Sequence, residues 1–209
     1  LSYAFYSSLG LSVKVDINSI GHSECRNTYK KELIQYYRSK RSKLCEDCKR
    51  RLAKNPLRLL DCKEELCREL RVDAPQIVDW LCAPCKDHFM KVIEYLDEAE
   101  IPYNLNPYLV RGFDYYTHTV FEWMIARGAE ETHNAIGGGG RYDDLLELYS
   151  GKSTPAAGFG IGIERVVLSL KEAQIVPPEE IKPFVYIAQL GEAARRKALK
   201  LMEDFRKAN

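Results

Sequence analysis

Apolar and polar residues alternate along Ser12-Val13-Lys14-Val15-Asp16-Ile17-Asn18, the two-residue period of a strand with one buried face. Before it, residues 1–9 read as the end of a helix stopped by Gly10. Ser23 is the expected N-cap of a helix whose apolar side carries Cys25, Tyr29, Leu33 and Tyr36 or Tyr37. A further helix is expected from about Lys86 to Glu100, with Phe89, Val92, Ile93 and Leu96 on one side. Three strand candidates follow, at 108–115, Thr117–Met124 and 134–137. The glycine run Gly137-Gly138-Gly139-Gly140 then leads to a helix starting near Tyr142. Phe159–Ile163 reads as a strand and Glu164–Glu172 as a helix. Val176-Pro177-Pro178 breaks the pattern. After it, Phe184-Val185-Tyr186-Ile187-Ala188 reads as a buried strand and Glu192–Lys207 as an amphipathic helix. One such βα unit is too small to bury its own apolar faces.

Composition adds little to this picture except through the cysteines. A chain of 209 residues with 45% hydrophobic and 29% charged residues is an ordinary globular sequence of one or two domains. No apolar run reaches membrane-helix length, no membrane partner is expected, and the first residues do not resemble a signal peptide. The chain begins at Leu1 on core-like residues, so it is expected to be a piece of something longer. Seven cysteines in such a chain point to a reducing compartment, with a cytoplasmic location as the default. There, clustered cysteines are metal ligands or free thiols more often than disulfides. The segment from Arg38 to Arg58 is basic and cysteine-bearing, and residues 23–86 read as a largely helical inserted module.

Leu109-Val110-Arg111-Gly112-Phe113-Asp114-Tyr115-Tyr116-Thr117 places an arginine, an aspartate and two tyrosines in a segment that otherwise reads as a strand. A guanidinium is a permanent, planar fork of donors for carboxylate or phosphate. Beside two phenols it suits a pocket for a small anionic or polar ligand; an edge strand with a surface ion pair is the competing reading. Four consecutive glycines permit close backbone approach, or simply a flexible turn. Gly158, Gly160 and Gly162 on alternate positions leave one strand face bare for a flat ligand such as adenine, or else for tight helix–sheet packing.

In this order the three segments resemble the two histidine-specific motifs and the third class motif of histidyl-tRNA synthetase, a class II aminoacyl-tRNA synthetase. Asp16-Ile17-Asn18-Ser19-Ile20-Gly21, Asn55-Pro56-Leu57-Arg58-Leu59-Leu60-Asp61 and Asp73-Ala74-Pro75 match it too. The resemblance implies an α+β fold, the class II antiparallel sheet flanked by helices. Residues 1–22 and 87–176 would belong to the catalytic domain, 23–86 to a helical insertion, and 182–209 to the start of an α/β anticodon-binding domain. It implies a ligase that activates L-histidine with ATP and Mg2+ and transfers it to the 3′ end of tRNA(His), as a homodimer. Arg111 would be the catalytic arginine, bridging the histidine carboxylate and the ATP α-phosphate. Tyr115, Tyr116, Tyr142, Gly138 and Gly139 would form the histidine pocket, and Gly160, Gly162 and Arg165, with Arg111, the ATP site. Glu122 is a weaker candidate and equally a structural partner for Arg141. Phe113 stands where the family usually has leucine, a change in packing, and Asp144 where glycine is common, which puts the turn after Tyr142 in question. The second class motif has no counterpart before Ser12, so the chain is expected to hold part of the site and to be inactive alone. A non-catalytic relative, the histidine-sensing regulatory subunit of ATP phosphoribosyltransferase, is the alternative. It generally lacks the insertion present here.

Cys45-x-x-Cys48 and Cys82-x-x-Cys85 carry zinc spacing, with Cys62 and Cys67 between them. Cys45, Cys48, Cys82 and Cys85 are the candidate ligands of a structural zinc, against buried free thiols. Arg38-Ser39-Lys40-Arg41-Ser42-Lys43 and Lys49-Arg50-Arg51 form a basic run, suited to a solvated helix face or, on the resemblance, to the tRNA acceptor arm. His118 reads as a packed or exposed strand residue, and His22, His88 and His133 show no partner pattern.

Overall fold

The computed structural model describes residues 1–125, 135–176 and 185–208, which fall into two compact units, Leu1–Ile175 and Val176–Asn209. The first unit opens with helix α1 (Ser2–Ser8) and strand β1 (Val13–Ser19). Gly10, at φ 75°, sits just past α1 and donates its N–H to the Ser7 carbonyl, while Leu11 N–H reaches Tyr6 O, both at 3.0 Å. That closure needs a left-handed residue, which glycine adopts without a Cβ clash.

Strand β1 belongs to a five-stranded sheet in the order β2-β1-β3-β4-β5. Strand β2 (Tyr103–Leu105) runs parallel to β1; β3 (Thr117–Ile125), β4 (Ala135–Arg141) and β5 (Ala157–Ile161) are each antiparallel to the preceding neighbour. The expected α+β sheet flanked by helices is therefore present. Register aligns Val15, Trp123, Gly137 and Ile161 in one row across four strands, and Asp16, Glu122, Gly138 and Gly160 in the next. Successive rows face opposite sides of a sheet. Val13, Val15 and Trp123 pack with Tyr6, Leu11, Ile136 and Val166 in an apolar core. The row holding Glu122 and Gly138 faces the other way.

Helices α2 (Ser23–Ser39), α3 (Glu46–Lys54), α4 (Glu65–Val72) and α5 (Ala83–Glu98) follow β1, with short 3-10 turns at Arg41–Lys43, Pro56–Leu59 and Ile77–Trp80. Helix α2 buries Cys25, Tyr29, Leu33 and Tyr37, so Tyr37 rather than Tyr36 continues the stripe. Its cap position is His22, in extended backbone; Ser23 is already helical and makes no capping bond. The residues of 23–86 share a single core with Leu109, Val110, Tyr116 and Val120.

Residues 108–115 are not a strand. Side chains meet part of the backbone in and beside this segment: Asn18 Nδ2 donates to Pro107 O (3.3 Å) and Leu109 O (3.1 Å), Arg26 donates to Tyr116 O, and Tyr108 N–H donates to Asn106 Oδ1 (3.1 Å). Asn55 Nδ2 donates to Asp114 Oδ1 at 3.2 Å. The glycine run, conversely, is no turn but the body of β4. Helix α6 covers Leu145–Ser150, three residues later than expected from Tyr142, and α7 covers Ile163–Glu172.

In the second unit, α8 (Glu192–Ala208) bears out the expected helix. Residues 185–188 form no strand and are exposed apart from the half-buried Ile187. An apolar run becomes a strand only with a neighbour to pair its backbone, and residues 185–190 pair with none among the described residues. Pro177, Pro178, Phe184, His133 and Asn134 lie outside the described residues. No helix among the described residues is long and apolar enough to cross a membrane.

Asn18, 5% exposed, is the clamp for residues 107–109. Asn18→Ala leaves two carbonyls without their donor and should cost about 1–3 kcal/mol in denaturant unfolding. Hydrogen exchange should rise first at 107–112; unchanged exchange there would show that the segment holds its shape without Asn18.

Candidate active site

Glu122, Gly138 and Gly160 of the second sheet row lie in the floor of a cleft of about 710 Å3, and Asp16 continues the row beyond it. Asp16 is held at the far end by Asn104 Nδ2 (3.2 Å) and Asn106 Nδ2 (2.8 Å). Glu122 pairs with Arg111 Nη1, which lies over Gly138. Both side chains are largely withdrawn from water, at 22% and 28% exposure. Burial pushes the Glu122 carboxyl up from its ordinary value, and the Arg111 guanidinium pulls it back down; the upward effect prevails. Arg111 Nε is buried and makes no hydrogen bond among the described residues.

Glycine at 138 is a steric requirement. A Cβ there would lie 2.7 Å from the Phe121 carbonyl oxygen and 2.9 Å from Arg111 Nη1. At Gly140 it would meet Thr119 O at 2.6 Å and the Tyr116 ring at 2.8 Å. At Gly160 it would meet nothing within 4 Å, so the floor is open there.

Three tyrosines form a wall. Tyr115 and Tyr116 lie 4.6 Å apart, and Tyr142 stands edge-on to both at 5.8 and 6.2 Å. The hydrogen bond with Tyr116, then burial, holds the Tyr115 phenol above its ordinary pKa. Tyr142 is placed by its neighbour: Asp143 accepts from Arg141 Nε (2.6 Å) and Ala156 N–H (3.1 Å), and its own N–H reaches Thr117 Oγ1 (3.1 Å). Arg165 closes the opposite end, with Nη1 on Ala135 O at 2.5 Å, and Gly162 precedes α7 as its cap residue.

The cleft thus gathers Arg111, Tyr115, Tyr116, Tyr142, Gly138, Gly160, Gly162 and Arg165 from the expected set. Gly139, paired with Phe121 and Phe159, is not among the residues lining it. Glu122 serves Arg111, not Arg141, whose carboxylate is Asp143. Phe113 is no core residue: it is 64% exposed, lines the cleft and stacks on Tyr115 at 5.3 Å. Asp144 takes ordinary right-handed backbone (φ −81°, ψ −14°), so that turn requires no glycine. Asp143 and Thr117 were missed, since two short polar side chains give no periodic signal.

Three histidines do have partners. The His118 ring lies 4.9 Å from His88 and 6.5 Å from His22, with Nε2 4.0 Å from Asp143 Oδ2. Burial, then the neighbouring His88, pushes His118 below its ordinary pKa; burial, then Arg141, does the same to His88. The four cysteines expected to share one zinc separate into two groups, Cys45 and Cys48 joining Cys62 and Cys67, and Cys82 and Cys85 joining Cys25 and His22.

The cleft thus has Arg111 at one end, an aromatic wall beside it and Arg165 at the other end, with bare backbone at Gly138 and Gly160 between them. The family model of histidyl-tRNA synthetase matches residues 32–166. Among curated proteins, the histidine–tRNA ligase of Caldicellulosiruptor saccharolyticus is 47% identical over 99% of this chain and 49% of its own length. That of Dehalococcoides mccartyi is 46% identical over the whole chain and 50% of its own length. Among solved structures, apo Staphylococcus aureus histidyl-tRNA synthetase superposes with a TM-score of 0.67 at 36% identity, over 99% of this chain and 50% of that one. The fold and cleft are those of a class II aminoacyl-tRNA synthetase. Within that class, the chain belongs to the histidyl-tRNA synthetase family. It spans about half the length of the curated relatives it matches.

Two outcomes test the geometry. Gly138→Ala forces its methyl against backbone that cannot yield and should cost about 1–3 kcal/mol, whereas Gly160→Ala should fall within about 0.5 kcal/mol of the parent in the same melts. Equal effects would show that the floor is not sterically set. Arg111→Met removes the influence that lowers the Glu122 pKa, so that carboxyl titrates higher still in the fold. A group with a raised folded pKa favours folding most below its unfolded value, near 4.3, and that stability is lost as pH rises through the folded pKa. The variant's deficit should therefore grow between pH 4 and pH 8, to about 1–2 kcal/mol for a pair that keeps only part of its contact with solvent. A pH-independent deficit would show that Glu122 is not coupled to Arg111.

Proposed function

We propose that the intact protein joins L-histidine to ATP, taken with its magnesium, releases pyrophosphate, and passes the histidyl group to the 3′ end of tRNA(His). The observation that carries this reading is Arg111, anchored by Glu122 over the Gly138 backbone and facing the open floor at Gly160. In activation the histidine carboxylate attacks the α-phosphorus, and negative charge builds on the phosphoryl oxygens as pyrophosphate departs. A guanidinium already immobilised at that end stabilises the charge without reorganising, and its fork orients both reactants. Tyr115, Tyr116 and Tyr142 read the substrate imidazole; a pocket that pairs a ring N–H rejects apolar analogues, which would leave its phenols unmatched. The bare backbone at Gly160 receives the adenine, with Arg165 and Gly162 beside it. Relatives that share 45–47% of their residues with the chain are named as ligases, which disfavours the regulatory alternative.

For tRNA, the basic run divides. Lys49 and Arg50 pair with Glu46 and Asp47 one turn away, and Arg51 with Asp61. Arg38, Arg41 and Lys43 are exposed and make no ion pair among the described residues, which suits phosphate contact. A homodimer in the cytoplasm accompanies this reading on the family resemblance.

Histidine-dependent ATP–pyrophosphate exchange by the intact protein tests the proposal, and absence of exchange would sink it. Arg111→Ala should slow adenylate formation by about 10²–10³-fold while leaving tRNA binding nearly intact. Equal loss of both would make Arg111 structural.

A further inference from the structure

All seven cysteines of the chain, together with His22, fall into two four-ligand groups, Cys45/Cys48/Cys62/Cys67 and His22/Cys25/Cys82/Cys85. Within each group the ligand atoms lie within 4.8 Å of one another, and no two cysteines are bonded. We propose that each group is a structural zinc site: a four-thiolate site inside the insertion and a three-thiolate, one-imidazole site where the insertion leaves and rejoins the catalytic sheet.

The spacing of the donors fits one ion. Tetrahedral zinc with Zn–S near 2.3 Å and Zn–N near 2.0 Å sets sulfurs about 3.8 Å apart and a nitrogen about 3.6 Å from a sulfur. Cys45 and Cys62 Sγ are 3.9 Å apart, Cys25 and Cys85 Sγ 3.9 Å, and His22 Nδ1 lies 3.4 Å from Cys85 Sγ. Three of the four donor pairs share one local geometry. His22, Cys45 and Cys82 are the cap residues of α2, α3 and α5, and Cys25, Cys48 and Cys85 follow each three positions on. Backbone N–H groups point at the sulfurs, Cys45 N and Cys48 N at Cys67 and Cys45 (both 3.4 Å) and Cys82 N at Cys25 (3.2 Å). Such donors favour thiolate over thiol. The outer nitrogen of His22, Nε2, lies 3.5 Å from Glu24 Oε2, the kind of carboxylate that orients a metal-bound imidazole. Eight ligands fill two tetrahedra and leave no open position, so the sites are structural rather than catalytic.

The sites also answer a structural need. Helices α3 and α4, of nine and eight residues, are shorter than an isolated helix needs to persist. The first site ties them to Cys62, and the intervening turn carries Asn55 to Asp114 and Arg58 to the backbone at Gly112. The second binds the start of α2 to the start of α5, at Gly21, where a Cβ would strike Cys25 and Leu81 at 2.8 Å.

Metal analysis of the purified intact protein, grown with zinc and handled under reducing conditions, should find about two zinc ions per chain. Both should be released on titration of the thiols with a mercurial. Cobalt(II) substitution should give thiolate charge-transfer bands and the d–d bands of tetrahedral cobalt. Cys62→Ser and Cys85→Ser should each lose one ion of the two. Should either variant fail to fold, the cobalt titration of the parent still decides the matter. No retained metal, no tetrahedral cobalt spectrum, or a single ion per chain would overturn the two-site proposal, as would disulfides between these cysteines in freshly purified protein.

Discussion

The ion pair between Arg111 and Glu122 governs the rest of the cleft. Only one of the two is held by regular structure: Glu122 lies within β3, paired with β1 and β4, but Arg111 sits in an irregular segment that enters that strand. The guanidinium reaches the carboxylate only because Gly138, in the neighbouring strand, has no side chain beneath it. A partly desolvated pair with one member removed leaves an uncompensated charge, so the two are conformationally interdependent. Position of the arginine, bareness of the floor and protonation of Glu122 are one constraint expressed three ways.

That constraint explains why so much polar side chain is spent on residues 106–117. Asn18 and Arg26 take over backbone bonds that a sheet partner would otherwise provide, and Asn55 holds the Asp114 side chain. Asn18 lies on β1, Arg26 on α2 and Asn55 just past α3, so the cleft depends on residues far from it in sequence. Residues of 23–86 share a core with Leu109, Val110 and Tyr116 and so support the segment that carries Arg111. Two clusters of metal-type ligands lie within that support and at its junction with the sheet.

How far this was legible in the sequence depends on what fixes each element. Strand β1 and helices α2 and α5 follow from apolar periodicity, since each packs one stripe against a core. Residues 108–115 have strand composition yet are not a strand: Asn18 and Arg26 tether the segment at Leu109 and Tyr116 in place of a sheet partner. The glycine run has turn composition yet forms β4, because the strands on either side and the guanidinium above exclude any Cβ. Residues 185–188 have strand composition and pair with no strand among the described residues. For the cleft itself, motif resemblance located half of the lining, including Arg111 and the tyrosines. Gly139 does not line the cleft, and Glu122 pairs with Arg111 where Arg141 was the expected structural partner, because the irregular segment delivers Arg111 to it. The cysteines were legible as a metal motif, but which pairs join is decided by the path of the chain between them.

The central claim is that Arg111, positioned by Glu122 and Gly138, holds the mixed anhydride at the junction of the two ligand pockets. A non-hydrolysable histidyl-adenylate analogue, titrated calorimetrically into the intact protein and its Arg111→Met variant, tests it most directly. The account predicts one site per chain, displaced by histidine and by ATP, with affinity falling by about a hundredfold or more in the variant. Equal affinity in the two proteins would contradict it.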